Sequence, residues 1–226
     1  MKTLTDLFDF SCCINLDRRP DRWEESIKEF NKWGLNNINR APAIDAHTLP
    51  TAYPDVYKSV KGNIGNIRSM GNIGLILTNL QIFEYAKEQK FSQILIMEDD
   101  VYFTSEINNI ESLISYVPND WDMLYMGGNH NYHNKGSKAQ PIPINDHVIK
   151  CQHTFTTHCY AVKSHMYDIL TSRLSKLDAP IDVIYTEIQK EYNVYSIYPS
   201  VAKQREGFSD IENAFISSEK YNSLIK

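Results

Sequence analysis

The run Ile94-Leu95-Ile96-Met97-Glu98-Asp99-Asp100-Val101 decides how the chain is read. Four apolar residues without alternation predict a strand covered on both faces, the pattern of a central strand in an α/β sheet. Three consecutive carboxylates then close it. Like charges at that density repel unless solvent or a cation neutralises them. In open α/β sheets, the carboxyl ends of the strands face the crevice where ligands bind. Hard oxygen donors there suit Mg²⁺ or Mn²⁺, which also hold phosphates. Extended geometry puts Glu98 and Asp100 on one side and Asp99 on the other. The plainer alternative is a solvated turn.

Outward from that strand, helices and strands alternate. Upstream, Leu75 to Lys90 reads as a helix with Ile76, Leu80 and Phe83 on its face, preceded by a long loop from Thr48 to Gly74 with room for a short helix. Earlier still, Ser11 to Leu16 reads as a buried strand. Pro20 opens a helix with Asp21 and Glu24 at capping-box spacing, Trp23, Ile27 and Phe30 on one face, and Gly34 as its stop. Asn37 to Ile44 is a second extended segment. Downstream, Ile107 to Val117 is helical and Asp122 to Met126 is a strand, followed by a polar loop from Asn129 to Asp146 expected to act as a lid or acceptor loop. His147 to Cys151 and His158 to Lys163 are strands. Ser164 caps a helix to Leu174, and Pro180 opens another with Ile181, Ile184, Ile188 and Tyr192 on its face. Tyr195 to Ser200 is extended.

This order predicts an α/β fold: a single domain over residues 1–226, core about 11–211, with a mostly parallel sheet, helices on both faces and a mixed C-terminal part. The repeat Gly62-Asn63-Ile64-Gly65 against Gly71-Asn72-Ile73-Gly74 is too short to be architectural.

Composition narrows the function classes. The chain has 226 residues, 42% of them hydrophobic, so disorder and low complexity are excluded. Its net charge of −5 disfavours bulk nucleic-acid binding. No apolar run approaches membrane-spanning length, and Met1 to Phe10 lacks a signal-peptide core, so a cytoplasmic location without a transmembrane segment is expected. Cys12, Cys13, Cys151 and Cys159 lack metal or disulfide spacing and are expected to be reduced core residues. His153 and His158, flanking a Thr-rich turn, are expected to be satisfied surface histidines. The glycines match neither a P-loop nor a dinucleotide fingerprint, and no serine-hydrolase elbow exists.

Two further segments carry chemistry. In Ile14-Asn15-Leu16-Asp17-Arg18-Arg19-Pro20-Asp21-Arg22, a strand runs into a helix N-terminus studded with arginines, an arrangement suited to a diphosphate. Salt bridging on a surface helix is the alternative. In Arg40-Ala41-Pro42-Ala43-Ile44-Asp45-Ala46, Asp45 can take ribose hydroxyls or a base edge, or close an Asx turn.

Taken in order, these segments resemble glycosyltransferase family 25, which includes bacterial lipooligosaccharide glycosyltransferases and collagen galactosyltransferases. The resemblance continues through Gly71-Asn72-Ile73-Gly74, Trp121-Asp122-Met123-Leu124-Tyr125-Met126-Gly127, His158-Cys159-Tyr160-Ala161-Val162 and Ala179-Pro180-Ile181-Asp182. It ends with Tyr198-Pro199-Ser200, Gln204 and Ser209-Asp210-Ile211. One departure is Thr78-Asn79, where the family usually has Ser-His.

The resemblance implies a GT-A fold, a nucleotide-diphosphate sugar donor (UDP-hexose foremost), Mn²⁺ or Mg²⁺, and a glycan or protein acceptor. It implies Asn15, Leu16, Arg18, Arg22, Ala43, Asp45 and Asp99 at the donor, and Glu98 and Asp100 at the metal. Gln204, Asp210 or a late His remains open as a third ligand. Asp182 is the candidate base of an inverting transfer; a first-turn carboxylate stabilising its helix is the alternative. A nucleotidyltransferase or phosphohydrolase, and a sugar-nucleotide-binding module without turnover, are the rival functions. Oligomeric state is not legible.

Overall fold

Strand β3 (Gln93–Glu98) is the centre of the molecule, with every residue from Ile94 to Met97 fully buried. A computed structural model of the chain describes residues 2–61, 67, 69–130, 140–211 and 214–217. Alternation along β3 divides the interior. Ile94 and Ile96 enter one hydrophobic cluster, and Leu95 and Met97 enter another on the opposite face. β1 (Phe10–Asn15) divides in step: Cys12 and Ile14 face the first cluster and Cys13 the second. The four cysteines are free and buried.

Each face is covered by helices. α1 (Pro20–Lys32) follows β1 and sends Phe30 into the second cluster. β2 (Ile38–Pro42) comes next, then two short helices, α2 (Leu49–Ala52) and α3 (Pro54–Lys61). α4 (Met70–Glu88) covers the first face with Ile73, Ile76 and Phe83. Beyond β3, β4 (Val101–Phe103) leads to α5 (Ile110–Ser115), β5 (Met123–Tyr125) and β6 (Asn129–His130). β7 (Ile142–Asn145), β8 (Val148–Lys150), β9 (Thr154–Phe155) and β10 (Cys159–Lys163) precede α6 (Tyr167–Leu174) and α7 (Ile181–Glu191). β11 (Val194–Ile197), β12 (Ala202–Gln204), β13 (Gly207–Ser209) and β14 (Ala214–Ile216) finish the chain.

The main sheet has eight strands in the order β2-β1-β3-β10-β5-β11-β8-β7. β2, β1 and β3 are mutually parallel, as the helix–strand alternation predicts, and β11 is parallel to β5. β10 lies antiparallel between β3 and β5, and β8 and β7 add antiparallel strands, so the sheet is mixed. The α/β class, with helices on both faces, is as expected. No helix among the described residues is long and apolar enough to cross a membrane.

Several local expectations change. The stretch after Thr48 is largely helical where described, and α4 starts at Met70 rather than Leu75, because the Ser69 hydroxyl accepts the Asn72 N–H. Residues 62–66, with the first copy of the short repeat, lie outside the described residues. The Asp21–Glu24 capping box does not form: Arg19 is the N-cap, and Asp21 pairs with its guanidinium at 2.8 Å. Ile27 is 39% exposed, and Ser26 takes the inner position, where its hydroxyl meets the Asp99 carbonyl at 3.0 Å. The expected loop from Asn129 to Asp146 contains β6 and β7; residues 131–139, the centre of the expected lid, lie outside the described residues. Thr78 and Asn79, at the Ser-His departure, are satisfied core residues: Thr78 accepts the Ile44 N–H, and Asn79 accepts the Tyr160 hydroxyl.

Gly74 sets how closely α4 approaches the chain after β2. A Cβ there would lie 2.4 Å from the Ile44 carbonyl oxygen. Gly74→Ala should therefore separate the two elements and cost about 1–3 kcal/mol, the usual penalty of overpacking. Urea unfolding checks this; a gain in stability would contradict the close contact.

Candidate functional site

The carboxyl ends of β1 and β3 lie side by side, with Ile14 opposite Glu98. α1, which leaves β1, and α4, which leads to β3, pack on opposite faces, so the strand ends open into a crevice. A cleft of about 940 Å³ occupies it. Asn15, Leu16, Arg18, Arg22, Ala43, Asp45, Glu98, Asp99, Asp100, Asp182, Gln204 and Asp210 all line this cleft, so the structure brings together every candidate named from the sequence.

Asp99 faces α1. Its carboxylate accepts from Asn15 Nδ2 at 2.6 Å and Arg22 Nη1 at 2.8 Å, and its carbonyl accepts from Arg205 Nη2 at 2.6 Å. Asn15, 1% exposed, also donates to the Arg19 carbonyl and accepts from Arg40 Nε at 2.9 Å. Burial raises the Asp99 carboxyl above the ordinary carboxylate range, against the pull of Arg22 and Asn15.

β3 ends at Glu98, and Asp99 and Asp100 form the turn that follows, so the extended geometry expected through Asp100 does not persist. Glu98 Oε1 accepts from the Thr157 hydroxyl at 2.6 Å. Burial, then the neighbouring Asp100, pushes its carboxyl up to about 8. Burial also raises Asp100, which accepts from Gln204 Nε2 at 2.8 Å. The β4–β12 ladder fixes that contact by setting Gln204 opposite Val101. It leaves Asp100 Oδ1 and Gln204 Oε1 buried without hydrogen-bond partners. Among the described residues, no three acidic, His or Cys side chains converge as a ready-made metal cage. Of the third-ligand alternatives, Gln204 is the one set against Asp100. Asp210 instead pairs with Arg18 and Arg19, each at 2.7 Å.

Asp45 accepts from Arg18 Nε at 2.7 Å and from the His47 N–H at 3.0 Å, so the Asx turn forms and an arginine joins it. Burial opposes ionisation there, but the His47 N–H and Arg18 prevail and hold the carboxyl below its ordinary value. Asp182 sits in the first turn of α7, where its carboxylate accepts from the Val183 N–H at 2.8 Å.

Thr156 and Thr157 line the cleft and were assigned no role from the sequence. Thr156 has a φ of 69°, rare for a β-branched residue and a mark of locally stored strain. The signal was the polar Thr154-Phe155-Thr156-Thr157 run before an apolar strand, but its location depends on β10 pairing with β3. His158 corrects the expectation of a surface histidine. It is buried, its ring bonded to Thr156 and to the Ala202 carbonyl, and burial lowers its pKa to about 4.

The sequence pattern described as "Glycosyltransferase family 25 (LPS biosynthesis protein)" matches residues 9–184. A Bos taurus protein named "Probable inactive glycosyltransferase 25 family member 3" is 24% identical over 193 residues, covering 77% of this chain and 31% of its own. Mus musculus "Procollagen galactosyltransferase 2" is 23% identical over 171 residues, covering 69% of this chain and 26% of its own. The chain thus spans about a third or less of these relatives. A crystal structure of "a glycosyltransferase involved in the glycosylation of the major capsid of PBCV-1" aligns over 83% of this chain and 81% of that one, with a TM-score of 0.45 and 12% identity.

Two expectations about stability follow. Asp99→Ala leaves Asn15 and Arg22 without their shared acceptor and should cost about 2–3 kcal/mol, whereas Asp100→Ala relieves repulsion and should be neutral or stabilising. Equal losses in a denaturant titration would contradict this division. His158, neutral in the fold, contributes stability present above its ordinary pKa of 6.5 and lost as pH falls to about 4. Between pH 6.5 and 4.5, His158→Gln should show a stability-against-pH slope altered by about one proton, roughly 1.4 kcal/mol per pH unit. Parallel melting profiles for the two proteins would rule this out.

Proposed function

The chain belongs to glycosyltransferase family 25, and we propose that its cleft binds a nucleotide-diphosphate hexose and transfers the sugar, with inversion, to a hydroxyl of a glycan or protein acceptor. UDP-galactose and UDP-glucose are the first donors to test. The observation that carries this reading is the convergence, in one crevice, of an arginine-bearing helix start, an acidic strand end and the Asp182 carboxylate.

Each part has a chemical use. Arg18 and Arg22 flank the start of α1, where guanidinium groups and the helix dipole favour a diphosphate. Ala43 and Leu16 provide wall, and Asp45 provides an acceptor for a nucleoside hydroxyl. The unpartnered Asp100 Oδ1 and Gln204 Oε1 fit a hard divalent cation, with Glu98 beside them. Two protein oxygens with further positions left to phosphate and water match the habit of Mg²⁺ and Mn²⁺ in nucleotide sites. Such an ion, when bound, supplies Lewis-acid stabilisation of the leaving diphosphate. Thr157 holds Glu98 in place, and the β4–β12 ladder holds Gln204. Asp182, on the rigid first turn of α7, is the group we assign to take the acceptor's proton.

A second reading has its own support. The bovine relative is named "Probable inactive" and its Homo sapiens counterpart "Inactive". A donor-binding module without turnover would keep the arginines and the acidic strand end. Against it, Thr78 and Asn79, the one departure from the family pattern, are in the core and absent from the cleft lining.

A panel of nucleotide sugars incubated with a glycan acceptor, with and without manganese, should release the nucleoside diphosphate and elongate the acceptor. Release without elongation would favour hydrolysis, and binding without release would favour the module. Asp182→Asn should keep donor affinity near wild type while kcat falls roughly 10²–10⁴-fold. Asp100→Ala should abolish transfer and its dependence on manganese. A near-normal kcat in Asp182→Asn would move the base to another residue.

A further inference from the structure

Among the described residues, β13 and β14 pair only with each other and not with the main sheet. β13 and the residues after it run along the cleft wall from the start of α1 to the start of α4. Arg22 Nη2 donates to the Phe208 carbonyl at 2.6 Å. Asp210 Oδ1 meets Arg18 Nη1, and Asp210 Oδ2 meets Arg19 Nη1, both at 2.7 Å. Ile211 seats on Gly71, where a Cβ would lie 3.0 Å from the Ile211 Cα.

One carboxylate thus ties up Arg18, one of the two arginines the donor reading assigns to the diphosphate, together with its neighbour Arg19, and the Phe208 carbonyl on the same segment takes the other, Arg22. We propose that Asp210 is a built-in anionic occupant of the arginine site, and that a nucleoside diphosphate binds by displacing it and loosening the strap formed by residues 207–211. The inference rests on the donor reading.

The charges say which group gives way. Arg18 and Arg19 already face Asp21, Asp45 and Asp210. Adding a diphosphate to two cations and three carboxylates is repulsive unless a carboxylate leaves. Asp45 is tied into its own turn by the His47 N–H, and Asp21 belongs to the first turn of α1. Asp210 follows directly on β13, which among the described residues pairs with β14 and not with the main sheet. Its side chain is 16% exposed, so the clamp is partly desolvated and worth more than a surface pair. A diphosphate outbids it because it brings more charge and more acceptor oxygens to the same donors. With the strap closed in most molecules, apparent affinity falls by the fraction that is open.

The test uses UDP, GDP and ADP as probes, each with and without manganese. Asp210→Asn removes the charge and keeps the shape, so the nucleotide that binds wild type should bind the variant roughly three- to tenfold more tightly. In wild type alone, that nucleotide should speed hydrogen exchange at the amides of residues 207–211. Unchanged or weaker binding by Asp210→Asn, or slowed exchange in the strap on binding, would overturn the proposal and leave the donor reading standing. Failure of all three nucleotides to bind wild type would overturn both.

Discussion

Asp99 is 7% exposed, and its carboxylate is shared by the amide of Asn15 and the guanidinium of Arg22. Through those two bonds the end of β1, the first turns of α1 and the end of β3 meet at one buried charge. Ser26 and Arg205 grip the carbonyl of the same residue, which draws in the inner face of α1 and the segment after β12. A buried charge is tolerated only where such partners compensate its desolvation. Here the compensation also fixes position: Asn15 cannot shift without losing Arg40, and Arg22 cannot shift without losing Phe208. The crevice keeps its shape because Asn15, Arg22 and Asp99, all part of its lining, are bonded to one another.

With Asp99 committed to α1, Glu98 at the end of β3 meets Thr157 and Asp100 in the turn meets Gln204. Glu98 and Asp100 are forced together in a place where neither is comfortably ionised, and Asp182 adds to the same negative field. Such a cluster is unfavourable in isolation. A fold that maintains it has a use for concentrated, poorly neutralised oxygen atoms. The strained backbone of Thr156 beside the cleft belongs to the same pattern.

How much of this was legible depended on whether one segment carried the answer. Ile94 to Met97 admits a single reading, and the arginines after β1 announce themselves by following a strand into Pro20. Both reached the crevice as expected. What depended on partners distant in sequence did not show. Nothing local says that β10 inserts antiparallel beside β3, so Thr157 had no visible connection to Glu98. Nothing local says that Arg19 will meet Asp210 across 191 positions, so that aspartate remained one of several possible ligands. Ser69 was overlooked as a helix cap because two glycines follow it closely, and glycine ordinarily argues against a helix interior. Close packing at Gly74 explains why they are there.

The far edge of the sheet has a consequence of its own. Among the described residues β7 is the terminal strand, and Ile142 and Ile144 on it are exposed. An open edge with apolar side chains is a template on which another chain can add a strand. Pro143, between the two isoleucines, has no N–H to offer, and the pairing with β8 is irregular between Pro143 and Asn145. A foreign strand would find a missing donor and a broken repeat at the centre of its landing site. The imino acid acts as a gatekeeper, and its replacement by an ordinary residue would convert a blunt border into an adhesive one, felt as a falling solubility limit rather than as a loss of chemistry.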